Sequence, residues 1–170
     1  MARLEARREA VMAADSELRK QLVELLRGGH AHATFEQTVK DFPLDEIAVR
    51  PAGMPHSAWE LLEHLRITQN DILLFSTQAD YVSPDWPKGY WPSSPGPSQT
   101  TQWENSVKLF RSDLAAMERL VLDEKQDLHK PFPWGDGQTL LREALLVADH
   151  TSYHLGQLLL VRRALGAWPG

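Results

Sequence analysis

Residues 149–154 read DHTSYH and lie in an apolar segment of helical period running from Thr139 to about Leu165. His150 and His154 are four residues apart. A helix therefore stacks them one turn from each other, with Cβ atoms about 6 Å apart on one face. Two imidazoles so placed can hold a metal ion between them. A third histidine, His64, lies in another helix-like segment, WELLEHLRI. Three neutral imidazoles plus one position left to solvent would form an open, reactive metal site rather than a closed structural one.

Spacing alone does not establish such a site. With seven histidines in 170 residues, an i,i+4 pair arises by chance in roughly a quarter of such chains. The competing reading is a pair of partly buried histidines bonded to backbone or solvent, with His64 a core-edge residue between Leu61 and Leu65. The surroundings favour the metal. All three histidines sit between apolar turns, where a charged imidazolium is costly. A neutral ring with one nitrogen on a metal and the other hydrogen-bonded is fully satisfied.

The remaining chemistry-bearing residues weigh less. Glu60, one turn before His64, could accept a hydrogen bond behind that ligand or act as a base. Ser57 and Glu60 also have the capping-box spacing, and that fit favours a structural role. His56 and His129 flank loops and are expected in solvent. His30 and His32, beside Gly28-Gly29, are expected at a helix boundary rather than facing the cavity. Tyr153 and Asp149 adjoin the ligands in sequence but are expected to point elsewhere on the helix. Thr151 stands where an HExxH metalloprotease needs its glutamate. A hydroxyl cannot serve as that base at neutral pH, so protease chemistry is disfavoured.

Helices must position these residues. Leu4, Val11, Leu18, Leu22 and Leu25 give the first 27 residues a helical stripe, which Asp15-Ser16 could divide by offering a cap. Gly28-Gly29 interrupts, and a second helical stretch is expected from about His30 to Lys40. A loop through Phe42-Pro43 and Pro51–Pro55 leads to Ser57, which opens a helix with Leu61, Leu65, Ile72 and Phe75 on its buried side. Residues 80–98 hold Tyr81, Trp86, Tyr90, Trp91 and five prolines, a long aromatic connection. A loop of this length in a compact domain is functional or well packed. Trp86 and Trp91 could wall or lid a cavity against an apolar substrate, or staple the connection to the helices; the staple is the reading preferred. Trp103, Val107, Phe110, Leu114, Met117 and Val121 step by four and three, the cleanest helix signal in the chain. After the turn PFPWGDG, Thr139 caps the last helix, and Gly166 and Pro169 stop it. No stretch alternates as a strand would.

Bulk properties narrow the function. A chain of 170 residues is one domain by default. Its net charge of −5, with scattered basic residues, argues against nucleic acid as a main partner. With no cysteine, disulfides and thiolate metal sites are excluded, and a reducing cytoplasm is compatible. MARLEARREA lacks the apolar run of a signal peptide, and the aliphatic run at 158–161 is too short to span a bilayer. A cytoplasmic protein with no membrane partner is expected.

The segments HSAWELLEHLR and LREALLVADHTSYHLGQLLLVRRALG, in that order with a crossover and a helix between them, resemble the DinB/YfiT-like family of bacterial helical-bundle metalloproteins. The resemblance runs through nearly the whole chain from about Leu18. It implies a divalent metal, with the family's one histidine on the second bundle helix and its HxxxH pair on the fourth falling on His64, His150 and His154. It also implies a homodimer through bundle helices. Characterised relatives include transferases and isomerases that use low-molecular-weight thiols such as bacillithiol or mycothiol.

The expected fold is therefore all-α. It is an antiparallel, up-down-down-up four-helix bundle in a single domain over 1–170. An extra N-terminal helix covers 1–27, and the crossover joins the second and third bundle helices. The expected function is a metal-dependent thiol S-transferase or hydrolase acting on a small-molecule substrate. Zinc or nickel on His64, His150 and His154 would activate water or a low-molecular-weight thiol by lowering its pKa. Two alternatives stand beside it: a metal-loaded bundle that senses or sequesters a ligand without turnover, and a structural dimer in which the histidines are incidental.

Overall fold

The computed structural model describes residues 1–168, apart from the side chains of Ala2, Arg8 and Val11. Pro169 as a stop signal and Val11 as part of a stripe thus lie outside the described residues. Five α-helices follow in order: α1 (Ala2–Arg27), α2 (Phe35–Val39), α3 (Ala58–Thr77), α4 (Thr101–Leu122) and α5 (Leu140–Ala164). One 3-10 turn, Lys88–Tyr90, interrupts the connection between α3 and α4. Among the described residues there is no strand, only an isolated bridge between Pro131 and Thr139. The all-α expectation holds.

α1 runs unbroken through Asp15-Ser16, where the sequence offered a cap. Asp15 is used sideways instead: its carboxylate accepts from Arg19 Nε at 2.7 Å, one turn on. The stripe also sits differently from its prediction. Leu22, Val23 and Leu26 are buried, whereas Leu4 (74 % exposed) and Leu25 (50 %) face outward. Gly28 and Gly29 then take φ of 67° and 92°, in the left-handed region that glycine enters without steric cost. The helix expected over His30–Lys40 is shorter. Thr34 caps it late, its side chain accepting from Gln37 N–H while Gln37 reaches back to Thr34 N–H, so only Phe35–Val39 is helical.

The capping box read at the head of α3 is present: Ser57 accepts from Glu60 N–H, and Glu60 accepts from Ser57 N–H. Thr139 caps α5 with the single bond, its side chain accepting from Arg142 N–H. α4 buries Trp103, Val107, Phe110, Met117 and Val121, the stripe read from the sequence.

α3 and α1 each pack against both α4 and α5. Two clusters form the core. The first joins the starts of α3 and α4 (Leu61, Leu65, Phe110) to the end of α5 (Leu155, Leu158, Val161). The second joins the ends of α3 and α4 (Ile72, Met117, Val121) to the start of α5 and to Leu22 and Leu26 of α1. Burial of this kind stabilises by about 25 cal/mol per Å² of apolar surface. The connection 78–100 is tied down at separate points. Ser57 Oγ donates to the Pro95 carbonyl at 2.5 Å, and the Tyr90 phenol donates to Asp71 at 2.8 Å.

Candidate metal centre

His64 lies in the second turn of α3, fully within the apolar stripe, and is 4 % exposed. His150 and His154 sit mid-way along α5, on the face turned to α3. Crossing the interface, His64 Nε2 lies 3.0 Å from His150 Nε2 and 3.2 Å from His154 Nε2. One nitrogen from each of the three rings falls within 4.8 Å of the others. Two imidazole nitrogens on a tetrahedral zinc, with bonds of 2.0–2.1 Å, stand about 3.3 Å apart. The spacing fits a shared ion.

Protonation fits as well. His64 Nδ1 donates to the Tyr90 carbonyl at 2.8 Å. A carbonyl can only accept, so this nitrogen carries the hydrogen, and a neutral His64 keeps its lone pair on Nε2, the atom facing the other rings. Burial, reinforced by His154 and His64, pushes His150 down to about 3. Burial, then His64, pushes His154 down to about 4, with Gln157 pulling slightly the other way. His64 is lowered too, by burial first. At neutral pH all three rings are uncharged. Three neutral donors aimed at one point, with no acid among them, are a set that a divalent cation satisfies.

Aromatic rings wall the trio. Trp91 stacks on His64 with centroids 3.9 Å apart and planes 2° from parallel. His56 stacks on Trp91 at 4.1 Å and 19°. Beside them opens a cleft of about 410 Å³, bordered by Met54, His56, Trp91, Tyr153, Gln157 and Leu160, with His154 at its edge.

Each residue singled out from the sequence can now be placed. Glu60 is buried and both its oxygens are engaged: Oε2 accepts from Ser57 N–H at 2.8 Å and from Arg50 Nε at 2.8 Å, and Oε1 accepts from Arg50 Nη2. Burial pushes its pKa up, but Arg50 and Ser57 together outweigh it and hold the carboxyl below the usual range. Asp149 is exposed, as expected. Tyr153 departs from expectation, since it borders the cleft and sets its ring edge-on to His154 at 4.8 Å. His56 departs likewise, being half-buried in the stack rather than solvated. His32 is exposed and bonds Ser152 at 3.2 Å, away from the trio; His30 and His129 are exposed. Trp86 is 78 % exposed, whereas Trp91 packs on the first core cluster. Tyr90 joins the site without a signal in the sequence. Its contribution is a backbone carbonyl, which no residue type announces.

The sequence profile of the DinB superfamily matches residues 29–158, a span that includes all three histidines. No curated protein and no solved structure gives a significant match.

Proposed function

Because the chain belongs to the DinB superfamily, we propose that it is a metal-dependent enzyme in which His64, His150 and His154 hold a divalent ion, zinc or nickel. The observation that carries this reading is the meeting of three neutral imidazoles across α3 and α5, with His64 locked in one tautomer by Tyr90. A metal bound there supplies a Lewis acid that makes water or a low-molecular-weight thiol nucleophilic at neutral pH. The chain's own residues do the rest. His64 is oriented by Tyr90 and Trp91. Leu61, Val161 and Trp91 give the cleft beside the site an apolar wall. The cleft, with Met54 and Leu160 for apolar wall and His56, Tyr153 and Gln157 for polar edge, suits a small molecule with an apolar body. The reaction read here is transfer or hydrolysis. Glu60 secures the head of α3 and takes no part in proton movement.

The long helices are read as an up-down-down-up bundle of α1, α3, α4 and α5, with 78–100 as the crossover; the N-terminal helix, expected as an addition to the bundle, takes the place of its first member, since α2 is only five residues long. The division of the core supports this: α3 and α4 enter the first cluster with their starts, α5 with its end. A homodimer and a cytoplasmic location are part of the same proposal.

The test begins with metal analysis of the purified chain. About one divalent ion per chain is expected, and His64→Ala, His150→Ala and His154→Ala should each lose it. Retention at full stoichiometry in these variants would show the site to be wrong. A panel of low-molecular-weight thiols against electrophiles, and of hydrolysable esters and amides, should then show turnover that chelation abolishes and the metal restores.

A further inference from the structure

Two consecutive residues of the long connection touch His64 in chemically different ways. The Tyr90 carbonyl accepts the Nδ1 hydrogen at 2.8 Å, which fixes the tautomer and one direction in the ring plane. A hydrogen bond alone leaves the ring free to swing about that N–H···O line. The Trp91 indole, 3.9 Å away and 2° from parallel, removes that freedom by fixing the plane.

Both contacts are themselves held. The Tyr90 phenol donates to Asp71 at 2.8 Å. Asp71 is seven residues beyond His64 on α3, two turns along the same face. Trp91 carries His56 on its other side at 4.1 Å. Two rings each within about 4 Å of one indole and nearly parallel to it would collide on the same face, so His64 and His56 lie on opposite faces. Asp71 of α3 and His56 of the loop just before it thus hold the dipeptide at both ends, and the dipeptide holds a side chain of α3.

We propose that Tyr90-Trp91 is a clamp that positions His64 for metal binding, with Asp71 and His56 as its anchors. The inference rests on the reading that the three histidines hold a metal. It gives the aromatic connection a task distinct from covering a substrate: it completes the centre. A metal-bound imidazole takes on part of the ion's positive charge, and an indole face attracts positive charge. The stack is therefore stronger in the loaded protein than in the metal-free one, and its loss registers in metal affinity as well as in folding.

The test uses the full chain, zinc competition against a chromophoric chelator, and the visible absorption of the cobalt(II)-loaded protein. Trp91→Leu keeps apolar bulk and removes the flat ring; Trp91→Phe keeps a ring. Trp91→Leu should weaken zinc binding about tenfold or more, the usual effect of removing support behind a ligand, and should shift the cobalt bands. Trp91→Phe should recover most of both. Tyr90→Phe and His56→Ala should move affinity the same way by less, and Val82→Ala, on an exposed part of the connection, should not move it. Melting of the metal-free variants separates folding from binding. Trp91→Leu that folds and binds zinc like the parent, with the same cobalt bands, overturns the clamp; so does Trp91→Phe as weak as Trp91→Leu. Should Trp91→Leu fail to fold, parental zinc affinity in both Tyr90→Phe and His56→Ala overturns it. A parent chain that binds no zinc or cobalt overturns the metal reading itself, and the clamp with it.

Discussion

His64 and His150 meet Nε2 to Nε2 at 3.0 Å although 86 residues separate them in the chain. The approach closes only when α3 and α5 are packed, so an ion shared by the two rings binds the folded chain and not the unfolded one. Metal is accordingly expected to stabilise the fold. Zinc at a hundred times its Kd should add about 2.7 kcal/mol, a rise of about 5–10 °C in Tm for a domain of this size. Thermal melts with and without zinc check this, and His150→Ala should erase the rise. An equal rise in that variant would place the ion elsewhere.

The lowered pKa values carry a sign that can be tested without metal. Unfolded histidines take up protons near 6.5, whereas folded His154 does so only near 4 and His150 near 3. Between those limits the unfolded chain binds more protons, so acid favours unfolding. The metal-free protein should hold this part of its stability above pH 6.5 and lose it progressively toward pH 4 and below. Urea denaturation across pH 7.5 to 4 reads it, and a His150→Leu, His154→Leu double variant should give a shallower decline. Competition by protons follows the same order. Bound metal should stay at pH 6 and leave as pH falls toward about 4, as dialysis and metal analysis would record.

Much of this was legible in the sequence because it rests on local spacing. The i,i+4 pair, the Ser57–Glu60 box, the Thr139 cap and the stripe of α4 are set by helical geometry, which composition cannot hide. What was not legible depends on distant partners. Asp15-Ser16 looks like a helix start until Arg19 claims the carboxylate. Leu25 looks buried and Leu26 does not stand out, because the face α1 turns inward is chosen by α4 and α5. His56 in a loop carries no periodicity to say that it will stack on Trp91, 35 residues later. The helix expected over 30–40 is shortened for a local reason: Thr34 and Gln37 have capping-box spacing, which postpones the start.

Glu60 offers a clean separation of two roles for one carboxylate. With its oxygens on Ser57 N–H and Arg50, Glu60→Gln still offers the cap an acceptor but loses the ion pair. Arg50 is half exposed, so the pair's contribution is screened by solvent, and the variant should lose little stability. Metal content should be unchanged, and metal-dependent turnover should remain within a few-fold of the parent. Loss of turnover by orders of magnitude, with metal and fold intact, would make Glu60 the base after all.

Arg19 is the strongest test of how α1 joins the fold. Its buried guanidinium accepts nothing and donates widely: to Asp15 at 2.7 Å, and to the carbonyls of Val121, Asp123 and Gln126 at 2.6, 3.1 and 2.7 Å. Those carbonyls belong to the end of α4 and the turn after it, where no helical partner remains and where the helix dipole favours a cation. Arg19→Met fills the space but leaves the buried Val121 carbonyl without its partner and releases those of Asp123 and Gln126, and should cost about 1–3 kcal/mol. Arg19→Lys keeps the charge, yet one ammonium cannot reproduce the planar fork, so it should recover only part of the loss. Urea midpoints measure both. Zinc stoichiometry should be untouched in either variant, since Arg19 anchors α1 beside the second core cluster and the histidines adjoin the first. Full stability in Arg19→Lys would reduce the contact to simple charge, whereas full stability in Arg19→Met would leave α1 held by its apolar side chains alone.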